Sequence, residues 1–138
     1  MMFVDSSVWI DYFNGRETPQ TLFLRDRADR TAIVVGDLIL CEVLQGFRSN
    51  RDMEEARALL LGFRYRDMVG QEIAMQAASH YRHLRAKGVT IRKTIDVMIG
   101  TFCLANGLEL LHADADFDPM EEHLGLQVVR LASENSTS

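Results

Sequence analysis

MMFVDSSVWIDYFNG, residues 1–15, is an apolar run that ends in a carboxylate and turns at once into a helical pattern. Met1–Val4 are too few for a helix and read as a short buried strand. Asp5 closes it, and residues 6–13 continue as a helix that starts at a hydroxyl or carboxylate cap. Asn14-Gly15 stops that helix. The same alternation recurs outward along the chain. Residues 18–30 form a second helix, with Thr18 as cap and Pro19 in the first turn. Residues 32–35, AIVV, are a second strand, and Asp37 caps a helix with Leu38, Cys41 and Leu44 on one side. Residues 51–61 are helical, and 62–65 fit a short edge strand.

The second half repeats the pattern. Residues 71–86 form a helix on the spacing of Ile73, Ala77, Tyr81 and Leu84, ended by Gly88. Residues 94–106 form the most regular helix, with Ile95, Met98, Ile99, Phe102 and Cys103 as its apolar stripe. Asn106-Gly107 ends it. Residues 108–111 are a strand, 112–118 (HADADFD) an acidic loop, and 126–131 a last short strand. Strands separated by helices imply crossover connections, hence an α/β fold with a mostly parallel central sheet flanked by helices. One domain over residues 1–132 is expected, with SENSTS, 133–138, as a polar tail.

Composition narrows the class. Of 138 residues, 47% are apolar, which fits a single domain with a core of its own. No apolar run is long enough to span a bilayer, and the opening residues lack a secretory leader pattern. A cytoplasmic location without membrane contact is expected. Cys41 and Cys103 read as core thiols in a reducing compartment. His80 and His83 share a helix face, but no third ligand is spaced to complete a zinc site. The net charge of −5 argues against a basic coat for nucleic acid. Asp5, Glu42, Asp96, Asp114 and Asp116 account for the whole of that excess. Thirteen of the fifteen cations are arginine, the side chain suited to forked phosphate contacts.

Those five acids come together if the sheet is parallel. Asp5 follows the first strand, and Asp114 and Asp116 follow the strand at 108–111. The functional crevice of such a sheet lies outside the carboxyl ends of its strands. Asp96, in the first turn of its helix, and Glu42, on the polar side of its own, can face the same crevice. Crowded carboxylates repel and raise one another's pKa, so a cation must accompany them. All-oxygen ligands select hard ions such as magnesium, manganese or calcium. Each acid also has an ordinary use: a cap for Asp5, a first-turn acid for Asp96, solvated loop or helix acids for the others. Spacing alone leaves the two readings level. Ser7 fits the crevice as a hydrogen-bond donor to metal-bound water or phosphate, or as a helix cap. Thr94 reads as the cap of its helix. Arg92 and Lys93, just before Asp96, are the candidates for phosphate contacts.

FVDSSVWIDYFNG, GDLILCEVLQGFR and RKTIDVMIGTFCLANGLELLHADADFDPM together resemble the conserved blocks of the PIN-domain ribonucleases, in particular the VapC-type toxins of bacterial toxin–antitoxin pairs. The blocks occur in the family's order from Met2 to about Leu131. The resemblance implies a PIN-domain-like three-layer sandwich. It implies that Asp5, Glu42, Asp96 and Asp114 form the catalytic quartet, with Asp5, Asp96, Asp114 and the accessory Asp116 as ligands of magnesium or manganese. It further implies endonucleolytic cleavage of RNA by metal-activated water, inhibition of translation and growth, a homodimer, and a cognate VapB-type antitoxin.

Other aspartate-rich α/β classes fit less well. A receiver domain needs a lysine late in the chain, and none follows position 93. A haloacid-dehalogenase-like phosphatase needs Asp-x-Asp where this chain has Asp5-Ser6-Ser7, and a dinucleotide fold needs a glycine-rich turn there. The rival that survives is a PIN-like module that binds RNA or protein without cutting.

Overall fold

The structure is a computed structural model, and it describes residues 1–131. The expected tail at 133–138 lies outside the described residues. Four parallel strands form one sheet in the order β3-β2-β1-β4: β1 (Met2–Val4), β2 (Ile33–Gly36), β3 (Arg64–Arg66) and β4 (Glu109–Leu111). Phe3 stands opposite Val34 on one side and Leu110 on the other, so the first strand of the chain lies inside the sheet. Seven α-helices among the described residues flank it. Helix α1 (Ser6–Phe13) packs against both α2 (Pro19–Asp26) and α3 (Asp37–Leu44), and α3 against α4 (Asn50–Leu60). The other group is α5 (Gly70–Ala86), α6 (Thr94–Asn106) and α7 (Asp118–Leu124). The three-layer α/β expectation is met.

The inner strands are apolar on both faces because helices cover both. Phe3, Val4, Ile33, Val34, Val35, Leu110 and Leu111 are all buried. Phe3 meets the Phe102 ring of α6 at 5.4 Å. Trp9 of α1 packs between Phe13 and Phe63, at 5.9 and 5.5 Å. Edge strand β3 is exposed along its whole length, and two of its three residues are arginine, a common defence against edge pairing.

Local signals set the ends of the elements. Thr18 and Thr21 cap α2 reciprocally: Thr18 Oγ1 accepts from the Thr21 amide at 3.0 Å, and Thr21 Oγ1 accepts from the Thr18 amide at 2.8 Å. Helix α6 ends at Gly107, whose φ of +62° suits a residue without Cβ.

Several expectations are corrected. Residues 126–131 do not form a strand; Val128 makes one isolated bridge to Leu110, whose other partner is β1. Residues 112–118 are not a plain loop, because a 3-10 turn (Ala115–Phe117) leads directly into α7. The second helix stops at Asp26, and a 3-10 turn follows at Arg30–Ala32. Asp37 is the first residue of α3, not its cap. Its Oδ1 accepts the amides of Leu38 and, from across the edge strand, Met68. The buried side of α3 is Ile39 and Val43, whereas Cys41 is exposed and not a core thiol. Thr94 does not cap α6; Lys93 occupies that position without a side-chain cap bond.

Candidate active site at the carboxyl edge of the sheet

Asp5 extends β1 by one more ladder bond, its amide donating to the Leu111 carbonyl at 2.9 Å. That bond sets the end of β1 beside the end of β4, where the acidic turn begins. Asp5 is 3% exposed. Its Oδ2 accepts from the Ser7 amide at 3.0 Å and the Ser7 hydroxyl at 2.6 Å. Asp5 is therefore a helix cap, and it also belongs to the crevice. Its other oxygen, Oδ1, is buried without a hydrogen-bond partner. Burial raises the Asp5 carboxyl above its usual range, against the pull of the Ser7 hydrogen bonds.

Ser7 Oγ also accepts from the Ala113 amide at 3.1 Å. Its hydroxyl donates to Asp5 Oδ2. It pins the acidic turn to the first strand. In that turn Asp114 Oδ1 accepts from the Asp116 amide at 2.9 Å and caps the 3-10 helix. The Asp114 amide donates to Nδ1 of His112 at 3.2 Å, which fixes that ring nitrogen as an acceptor.

Asp96, in the first turn of α6, is 4% exposed, and its Oδ2 has no hydrogen-bond partner. One oxygen each from Asp96, Asp114 and Asp116 lie within 4.8 Å of one another. Burial pushes the Asp96 carboxyl up to about 6; Lys93 opposes that rise, and Asp5, Asp114 and Glu42 add to it. Glu42 stands a step apart, half-buried on α3. Its Oε1 accepts from Ser6 Oγ at 3.0 Å. Burial raises its carboxyl too, with Ser6 opposing and the Asp5 charge adding. Residues from four distant segments thus share one electrostatic neighbourhood.

Two cations line it. Lys93 Nζ lies 3.7 Å from Asp96 Oδ2 and 3.5 Å from Asp114 Oδ2, and Arg92 Nη2 lies 3.8 Å from Asp116 Oδ1. Ser6 and His112, not among the expected site residues, hold Glu42 and Asp114. Adjacency to Asp5 and membership of the HADAD turn were the available signals. His80 lies outside the cluster, its Nδ1 2.9 Å from Thr101 Oγ1.

The donor set fits a hard divalent ion. The three grouped ligands, from Asp96, Asp114 and Asp116, are all carboxylate oxygens. Asp5 is not part of that group, and its Oδ1, like Asp96 Oδ2, is buried without a hydrogen bond. Buried charge left in that state is costly unless a cation joins it.

A match to the PIN domain family model covers residues 2–122, and the chain belongs to that family. It is 26% identical over 129 residues to the VapC ribonuclease Mb1587 of Mycobacterium bovis, covering 92% of this chain and 96% of that one. Ribonuclease VapC11 of Mycobacterium tuberculosis matches equally. Among solved structures, VapBC2 from Rickettsia felis, bound to promoter DNA, superposes with a TM-score of 0.72 at 14% identity, covering 95% of this chain and 99% of that one. FitAcB from Neisseria gonorrhoeae gives 0.73 at 13%, covering 94% and 97%.

Proposed function

We propose that the chain is the toxin of a type II toxin–antitoxin pair, a magnesium-dependent endoribonuclease of one domain over residues 1–132 that arrests translation and growth. The observation that carries this reading is the convergence of Asp96, Asp114 and Asp116 within 4.8 Å, with Asp96 Oδ2 buried and without a hydrogen bond. The relatives named as VapC ribonucleases, and the structural neighbours solved as antitoxin complexes, support the same assignment. They also support a VapB-type antitoxin as partner.

Asp5, Asp96 and Asp114 hold the ion, with Asp116 as accessory ligand; manganese suits the same oxygens. When bound, magnesium lowers the pKa of water and neutralises charge developing on the phosphate. Glu42, held by Ser6, completes the catalytic quartet from the α3 side. From there its carboxylate is placed to orient, or take a proton from, an attacking water. Ser7 keeps Asp5 and the acidic turn in register. Arg92 and Lys93 sit at the mouth, where an RNA phosphate would enter. The protein works in the cytoplasm as a homodimer.

The test is RNA cleavage with and without magnesium, beside Asp5→Asn and Asp96→Asn. Cleavage is expected only from the unmutated chain with the ion, and growth arrest only from its expression. Binding of RNA without cleavage under all conditions would instead identify a non-cutting PIN-like module.

A further inference from the structure

Lys93 occupies the place a second cation would need. Its ammonium bridges Asp96 Oδ2 and Asp114 Oδ2, and Asp96 Oδ2 is one of the two buried oxygens with no hydrogen bond. Among the described residues no other lysine or arginine pairs with Asp96 or Asp114 at salt-bridge distance. The side chain is 55% exposed and stands at the cap of α6, so its head can leave at small cost. A divalent ion on the same two oxygens would be repelled by an ammonium held there. Two cations cannot both sit at full strength against one pair of acids.

We propose that Lys93 is an internal stand-in for the divalent ion, a positioning residue that holds the acids together without metal and is displaced when metal binds. The inference rests on the metal-site reading above. Displacement turns the ammonium outward beside Arg92, at the mouth of the crevice. Contact with an RNA phosphate then becomes available only after the ion is in place. Metal occupancy and substrate engagement are thereby linked through one flexible side chain.

Manganese titration of the full chain by calorimetry tests this, with Lys93→Met, Lys93→Arg and the remote control Lys87→Met. Lys93→Met is expected to bind manganese about fivefold more tightly than the unmutated chain. Lys93→Arg and Lys87→Met should stay within about twofold of it. Without metal, the Tm of Lys93→Met should fall, and saturating manganese should close the gap. Equal or weaker manganese binding by Lys93→Met overturns the proposal while leaving the metal site standing. Absence of binding in every variant, the unmutated chain included, overturns the site reading and this proposal with it.

Discussion

Ser6 and Glu42, 36 residues apart in sequence, meet through one hydrogen bond: Ser6 Oγ donates to Glu42 Oε1 at 3.0 Å. That bond fixes which way the Glu42 carboxylate points. Ser6→Ala should lower kcat for RNA cleavage by about tenfold, the usual scale for an orienting partner, with KM little changed. Ser6→Thr should recover part of the loss. A parallel fall in Tm large enough to explain the activity would instead mark a folding defect.

Ser7 does a different job one residue on. Its hydroxyl joins Asp5 Oδ2 to the Ala113 amide. Ser7→Ala leaves a buried carboxylate oxygen short of a donor and should cost about 1–3 kcal/mol in denaturant unfolding. Ser7→Thr keeps the hydroxyl and should cost less. Because the two loops lose their tie, manganese binding should weaken in Ser7→Ala as well.

Asp96 makes stability depend on pH in a predictable sense. An unfolded aspartate ionises near 3.8, whereas the folded carboxyl does so at about 6. Between those values the unfolded chain has released the proton and the folded chain has not, so stability falls as pH rises through the window. Above it the penalty is constant, and the rise corresponds to about 3 kcal/mol. In chelator, Asp96→Asn should therefore be more stable than the unmutated chain at pH 7.5, by up to about 3 kcal/mol. The advantage should vanish below pH 4. Saturating magnesium should reverse the order, because only the carboxylate gains from the ion. Thermal unfolding across pH 3.5–8 checks both signs.

Gly36 ends β2 under the side chain of Met68. A Cβ there would lie 2.3 Å from Met68 Sδ and 2.4 Å from its Cγ. Met68 is 1% exposed and has little room to move. Gly36→Ala should cost about 1–3 kcal/mol. The double variant with Met68→Ala should be less destabilised than the separate costs imply, and a double-mutant cycle measures the coupling.

The fold was largely legible because strand and helix patterns were strong in the interior. Val4-Asp5 and Leu111-His112 gave two strand ends, and the parallel-sheet rule put them on one edge. The errors fell where a short apolar segment had no pattern of its own. Residues 126–131 read as a strand on apolar content, but β4 is only three residues long and offers Val128 a single bridge. Helix α7 went unread although Pro119, Met120, Leu124 and Gly125 carried its start, buried side and stop. The run of acids masked it. In α3 apolar residues run nearly all round, and only packing could show that Ile39 and Val43 are fully buried while Cys41 is exposed. The convergence of the acids was legible. The partners that orient them were not, because hydroxyls such as Ser6 and Ser7 carry no sign of whether they serve a helix cap, a neighbour or a ligand.

The order β3-β2-β1-β4 places β1 next to β4, the described strand farthest from it in sequence. Asp5 is made before β4, and the edge it must share with Asp114 does not exist until β4 and the turn after it have emerged. A nascent or prematurely terminated polypeptide therefore lacks the assembled crevice. If the protein cuts RNA as proposed, such a topology would keep the blade sheathed while the translating machinery is still at work on it.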